Sequence, residues 1–167
     1  YVLNMLIAQM VAFKRVQQLV KTLIGRVISE ATMLKYIIQL YYCLETWEHE
    51  AVEELLANPT MHVDETSLRV DKKNHWIHVC SAGDITLKFL HRKRGGEAID
   101  DIDVIPRYEG IIIHDCWASY FAYDHCGHGL CGSHLLRELT FIVEANGYHW
   151  AANMKRLLLE ICVIIAK

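Results

Sequence analysis

The stretch that decides the fold of this 167-residue chain reads His62-Val63-Asp64-Glu65-Thr66-Ser67-Leu68-Arg69-Val70. Residues that favour extended backbone (Val63, Leu68 and Val70) predict a strand with Asp64 in its middle. The pattern also predicts that this strand is buried, and a buried carboxylate costs free energy unless a partner compensates it. We therefore expect Asp64 to be paired with a group from another element.

A second stretch has the same character and reads Gly110-Ile111-Ile112-Ile113-His114-Asp115-Cys116-Trp117. Its apolar run predicts a strand that leads directly into the carboxylate of Asp115. Two strands that each deliver an aspartate indicate a shared metal site, because adjacent carboxylates repel each other. Hard oxygen ligands favour Mg²⁺ or Mn²⁺, and a pair of such ions suits phosphoryl transfer. The alternative is that both aspartates are ordinary strand-end acids bonded to backbone amides.

The composition indicates a globular protein with room for one domain and a helical appendage, since 53% of the residues are hydrophobic and 22% are charged. A formal net charge of −3 argues against coating of nucleic acid by bulk charge, but leaves room for a local basic groove. The six cysteines follow no disulfide framework, which favours reduced thiols in the cytosol. No signal peptide or membrane span is expected. The chain begins without methionine and ends in an apolar run, so we expect it to be cut from a longer protein.

Residues 1–59 are helical in pattern, with Gly25 as a helix end and Ser29 as the N-cap of the next helix. A helix, a glycine turn and a capped helix suggest a helix-turn-helix-like region that would contact DNA. A helical-bundle connector is the alternative. We place the domain boundary at Pro59.

From residue 60 the apolar period changes from 3.6 to 2, which predicts an antiparallel meander of three strands, a short helix and a fourth, parallel strand. This order of elements fits a small number of mixed α/β sheets, and in the commonest of them, the ribonuclease-H-like fold, we expect the strand order 3-2-1-4-5. Asp64 and Asp115 would then lie on neighbouring strands, at the edge where such sheets bind ligands.

Three motifs carry a resemblance to a known family, and they read His62-Val63-Asp64-Glu65-Thr66, His114-Asp115-Cys116-Trp117 and Cys131-Gly132-Ser133-His134-Leu135-Leu136-Arg137-Glu138-Leu139. In this order they resemble the transposases of the bacterial insertion-sequence-66 group. The resemblance implies a cytoplasmic bacterial enzyme with an Asp-Asp-Glu triad and two Mg²⁺ or Mn²⁺ ions. Such an enzyme binds transposon ends and target DNA as a homo-oligomer, and it cleaves and transfers strands.

Asp64 matches the first acid of that family and Asp115 the second. The third acid of the family is a glutamate on a later helix, and none of Glu138, Glu144 and Glu160 fits it well. We therefore expect the catalytic core, residues 60–167, to be truncated before the third carboxylate and inactive by itself.

Two further groups of residues have more than one interpretation. The cluster His125, Cys126, His128, Cys131 and His134 is rich in soft ligands, but it lacks two separated ligand pairs, so zinc is not expected. The resemblance makes His134 a supporting residue beside the acids. The basic residues Arg92, Lys93, Arg94 and Arg137 would contact DNA phosphates, or form a solvated surface. The alternative function is a non-catalytic DNA-binding module that uses the helical region and the basic loop, with the acids purely structural.

Overall fold

The computed structural model describes residues 1–165. A π-helical turn at Asn4–Ala8 precedes the regular elements, which are α1 (Phe13–Ile24), α2 (Glu30–Ala57), β1 (Thr60–Val70), β2 (Lys73–Ala82), β3 (Ile85–His91), α3 (Gly96–Ile102), β4 (Ile111–His114), β5 (Gly127–Leu130), α4 (Gly132–Asn146) and α5 (His149–Ile165). The expected continuation of the last helix to the end of the chain falls partly on residues 166–167, which lie outside the described residues. None of the helices described is long and apolar enough to cross a membrane.

The five strands form one mixed sheet in the order β3-β2-β1-β4-β5, which confirms the predicted α/β architecture and strand order. β1 pairs antiparallel with β2, and β2 with β3, whereas β4 is parallel to both β1 and β5. The tight turn between β1 and β2 places Asp71 and Lys72 at φ 49° and 64°, the left-handed geometry that joins antiparallel strands directly. The connection from β1 to the parallel β4 is longer and contains α3, as a parallel crossover requires.

The main core lies on one face of the sheet and follows the period-2 pattern of the strands. On β1, Met61 and Val63 are buried, and Ile112 is their counterpart on β4. The residues that pack around them include Leu55, Ile99, Val104, Ile105, Tyr108 and Tyr120. The aliphatic stretches of β1 and β4 therefore fold as strands because the core removes their side chains from water.

The chain consists of two compact units, Tyr1–Glu50 and the part from Ala51 onward, and the division between them falls inside α2. The predicted boundary at Pro59 lies later in the chain and stays a prediction. The first unit has its own buried residues, namely Leu6, Val16, Val20 and Met33.

Both helix ends predicted in the first unit are confirmed. Gly25 ends α1 at φ 65°, where glycine avoids the strain that a Cβ would cause, and its N–H donates to the carbonyl of Lys21. The Ser29 hydroxyl accepts a hydrogen bond from the N–H of Thr32 at 3.1 Å, as an N-cap does.

Gly110, at the start of β4, is a position where the fold depends on a missing side chain. A Cβ at this position would lie 2.4 Å from the Tyr108 hydroxyl and 2.8 Å from the carbonyl oxygen of Pro59. Because the second contact is with backbone, we expect Gly110→Ala to lower the free energy of unfolding by about 1–3 kcal/mol, the usual range for overpacking. Urea denaturation measures this, and Gly96→Ala is the matched control, since nothing lies within 4 Å of its Cβ. Equal stability of the two variants would contradict the expectation.

Candidate metal and active site

The register of the parallel strands aligns the two predicted aspartates. β1 pairs with β4 from Thr60 opposite Ile111 to His62 opposite Ile113. Asp64 lies two residues beyond His62, and Asp115, the residue that follows β4, lies two residues beyond Ile113, so continuation of this register would place both at the same level of the sheet. This level is at the carboxyl end of the parallel pair, where open α/β sheets bind ligands.

A backbone amide orients each of the two carboxylates. The N–H of Glu65 donates to Oδ1 of Asp64, and the N–H of Trp117 donates to Oδ1 of Asp115, both at 2.9 Å. Within residues 1–165, no hydrogen bond or ion pair to Oδ2 of either aspartate is present. The amide bonds fit ordinary strand-end acids as well as metal ligands. The common register and the two remaining oxygens are the features that favour a metal site.

The Asp64 side chain is exposed, so the prediction that this carboxylate is buried within its strand is wrong. Side chains alternate between the two faces of a strand, and Asp64 lies on the face opposite Met61 and Val63. The next residue, Glu65, shares the core face, and its side chain is only 1% exposed. The buried acid of this motif is therefore Glu65, which sequence reasoning missed. Its position at i+2 from Val63 was the available signal.

Two partners compensate the buried Glu65 carboxylate. Nε and Nη2 of Arg94 donate to Oε1 at 2.8 and 2.6 Å, and the Tyr120 hydroxyl donates to Oε2. Burial, followed by the hydrogen bond to Glu65, raises the pKa of Tyr120, and the nearby charges of Glu65 and Asp115 raise it further. Tyr120 is consequently a neutral hydrogen-bond donor that lies close to both acids.

The basic loop is divided between internal and surface roles. The guanidinium of Arg94 lies 4.3 Å from the ring centroid of Trp117 and 5.0 Å from that of Trp76. Lys93 forms an ion pair with Glu97 on the surface. Arg92 and Arg137 are exposed, and neither forms an ion pair with any residue in the described part of the chain. Arg94 therefore already has protein partners for its charge, whereas Arg92 and Arg137 present theirs to solvent.

A cavity of about 140 Å³ adjoins Asp64 on the face opposite the core. Its polar lining comes from His62, Asp64, Ser81, Cys131 and His134. Nδ1 of His134 is buried there without a hydrogen-bond partner among the described residues. The volume is enough for several water molecules, and the lining has groups that can bind them. The third motif thus meets the first one beside Asp64.

Cys131 and His134 interact at the start of α4. Burial raises the pKa of the Cys131 thiol, but the neighbouring His134 side chain and the amides of His134 and Ser133 outweigh it, so that this pKa is lowered. The two residues therefore act as a polar pair in the cavity wall.

The remaining predicted ligands are engaged separately. His125 contacts the carbonyl of Ile105 at 3.2 Å, and the Cys126 thiol donates to the carbonyl of Tyr123. His128 lies 3.0 Å from Nε2 of His114, a fully buried strand residue. In the described part of the chain, no group of three or more His, Cys, Asp and Glu side chains is arranged to hold a metal ion.

The three glutamates considered as a third acid, Glu138, Glu144 and Glu160, are all exposed. Glu160 lies 3.8 Å from Arg156 on the surface of α5. The structure therefore groups none of them with Asp64 and Asp115 in a three-ligand cluster.

The buried His78 on β2 should make the stability of the protein dependent on pH. Burial lowers its pKa, although the carbonyl of Lys93 and the charge of Glu65 oppose this effect. Because the folded chain then takes up the proton less readily than the unfolded chain, the full stability is present above about pH 6.5 and decreases as the pH falls. His114 has a lowered pKa for the same main reason and acts in the same direction.

Urea denaturation at about pH 7.5 and about pH 5.5 measures this effect, which lies in the range where histidine titrates. We expect His78→Asn to reduce the loss of stability between the two pH values, whereas the exposed His149→Asn should leave it unchanged. The same loss in both variants would contradict a role for His78.

The strand order defines a ribonuclease-H-like fold. The register of β1 on β4 gives this fold a candidate site made of two carboxylates. The sequence matches the family model described as "Transposase IS66 family" over residues 1–166, and the chain belongs to this family of transposases. This confirms the family that the three motifs indicate. No curated protein matches the sequence.

Several solved structures are distantly similar. The HTLV-2 integrase catalytic core domain in complex with magnesium, in its trimeric form, is 14% identical, with a TM-score of 0.37 over 63% of this chain and 84% of that chain. Its dimeric form is 13% identical, with a TM-score of 0.36 over 62% and 84%. The simian T-cell lymphotropic virus intasome, in complex with the PP2A regulatory subunit B56 gamma, is 11% identical, with a TM-score of 0.36 over 63% and 48%. The strand order and pairing themselves establish the fold class.

Proposed function

We propose that Asp64 and Asp115 are two ligands of a divalent-metal site that cleaves and transfers DNA strands in transposition. The observation that carries the proposal is their common level on adjacent parallel strands. Family membership supports it, because transposases act on DNA strands. Two strand-end acids with unrelated structural roles have no need to share a level of the sheet.

The donor set suits Mg²⁺ or Mn²⁺, since hard cations prefer carboxylate oxygens and each aspartate has an oxygen without a partner among residues 1–165. When bound, such an ion supplies positive charge against the charge that develops on the phosphate. Asp64 and Asp115 would hold it, and the third ligand of the family's triad is not provided by the described residues.

Other residues of the chain would bind and orient the substrates. His134 lies in the cavity wall beside Asp64, with Nδ1 available to a water molecule or to a DNA hydroxyl. The exposed guanidinium groups of Arg92 and Arg137 suit DNA phosphates, which position the duplex without reading its sequence. Assembly as a homo-oligomer on paired ends follows from the family resemblance.

A strand-cleavage assay on transposon-end DNA tests the proposal directly. A transposase that contains this chain together with the third acid should cleave with Mg²⁺ or Mn²⁺, and chelation with EDTA should stop the reaction. Cleavage that persists after complete chelation would contradict a metal-dependent mechanism.

A second function, DNA binding by the helical region, is favoured by the separate core of the first unit and by its glycine turn and serine cap. This region would present the start of α2, with Thr32, Lys35 and Gln39, to DNA. Gel-shift titrations without metal distinguish the two functions, because this binding should survive Asp64→Asn. Complete loss of binding in that variant would contradict it.

A further inference from the structure

We propose that Arg94 and Glu65 are positioning residues that hold Asp64 and Asp115 at the spacing a shared divalent ion requires. The inference rests on the proposed function and deepens it. It gives Arg94 a role inside the protein, where the sequence suggested a contact with DNA phosphate.

The backbone amides of two residues orient the aspartates. Glu65 donates its N–H to Asp64, and Trp117 donates its N–H to Asp115. The placement of each aspartate therefore depends on the backbone position of one neighbour, and those neighbours belong to different segments of the chain.

Arg94 joins these two neighbours, Glu65 and Trp117. Its guanidinium donates two hydrogen bonds to the Glu65 carboxylate, at 2.8 and 2.6 Å, and lies over the Trp117 ring at 4.3 Å. A planar guanidinium is suited to bind a carboxylate along its edge and an aromatic ring on its face at the same time. Arg94 thus connects the support of Asp64 to the support of Asp115.

Tyr120 provides a second connection between Glu65 and Trp117. Its hydroxyl donates to Oε2 of Glu65, and its ring packs edge-on against Trp117, with 5.5 Å between the ring centroids. Tyr120 is 1% exposed and Glu65 has a side chain that is 1% exposed, so water offers little competition for this bond. Glu65 is therefore bound twice to the segment that carries Asp115, once directly and once through Arg94.

The arrangement forms a continuous chain of contacts from Asp64 through Glu65, Arg94 and Trp117 to Asp115. A metal ion demands ligand positions within a few tenths of an ångström, and supporting contacts of this kind orient the ligands. Removal of the Arg94 guanidinium or of the Glu65 charge should thus weaken metal binding, even though neither residue touches the ion.

Titration of Mn²⁺ into the whole chain, followed by water-proton relaxation and by EPR of the free ion, tests the inference without any activity assay. We expect Glu65→Gln and Arg94→Lys to weaken Mn²⁺ binding by about tenfold each, in line with other supporting residues of metal sites. Tyr120→Phe, which removes one hydroxyl from the cluster, should weaken it several-fold. It also keeps the test decisive if Glu65→Gln fails to fold.

Leu55→Ala is the control for general destabilisation, because Leu55 is fully buried in the core and does not line the cavity beside Asp64. It should lower stability and leave Mn²⁺ affinity unchanged. If Asp64→Asn abolishes binding while Glu65→Gln, Arg94→Lys and Tyr120→Phe bind as the wild type does, the positioning role is wrong and the proposed function stands. Absence of Mn²⁺ binding in the wild type, or unchanged binding in Asp64→Asn, would overturn the metal site and the positioning role together.

Discussion

Asp64→Asn should reduce metal-dependent strand cleavage about 10³-fold or more, since a metal ion contributes several kcal/mol of transition-state stabilisation and each 1.4 kcal/mol is about tenfold in rate. The amide side chain keeps the size of the carboxylate and one oxygen, but loses the negative charge that binds a hard cation. Asp115→Asn should have the same effect, because both acids lie at the same level of β1 and β4. The assay is cleavage of transposon-end DNA by a transposase that contains this chain and the third acid.

Asp84→Asn is the matched control for this prediction. Asp84 is exposed in the turn between β2 and β3, outside the cavity that Asp64 lines. It should cleave as fast as the wild type. Equal rates for Asp64→Asn and Asp84→Asn would remove Asp64 from the reaction.

Arg94→Ala should be the most destabilising change at the site, lowering the free energy of unfolding by about 3 kcal/mol, the lower end of the range for breaking a buried ion pair. The variant leaves the Glu65 carboxylate buried, with the Tyr120 hydroxyl as its remaining partner in the described part of the chain. Glu65→Ala should cost less, because the Arg94 side chain is 40% exposed and can turn to water. Urea denaturation of both single variants and the double variant measures the difference, and the double should cost less than the sum.

The ion pair between Arg107 and Glu53 provides the comparison, since its N–O distance is also 2.6 Å but its side chains are 43% and 66% exposed. Arg107→Ala should therefore cost much less than Arg94→Ala, because an exposed ion pair contributes little to stability. If Arg94→Ala and Arg107→Ala are equally stable, the burial of Glu65 does not contribute to the free energy of unfolding. The contacts among Glu65, Arg94 and Tyr120 would then not stabilise the site.

The sequence predicts the sheet well because its signals are local. The polar turn between β1 and β2 and the unbroken isoleucines of β4 determine which strands are antiparallel and which parallel. The register of β1 on β4 then aligns Asp64 with Asp115, as expected for neighbouring strands.

The rest depends on contacts between distant segments. Whether Asp64 or Glu65 is buried depends on which face of β1 the core covers, and the sequence signal for that face is the position of Glu65 two residues after the apolar Val63. The pairing of Glu65 with Arg94 spans 29 residues, so no short motif announces it. β5 is a strand of the sequence Gly-His-Gly-Leu, which lacks the β-branched residues of a typical strand. A Cβ at Gly129 would lie 2.4 Å from Cδ1 of Ile113 on β4, so a side chain there would require the end of the Ile113 side chain to move.

A crystal of the protein soaked in Mn²⁺ tests the central claim most directly, through the anomalous scattering of the metal. We predict a peak bound by one oxygen of Asp64 and one oxygen of Asp115, each at about 2.1 Å, the distance typical of small divalent cations with carboxylates. Carboxylates directed to opposite faces of the sheet, with no Mn²⁺ between them, would contradict the proposed metal site.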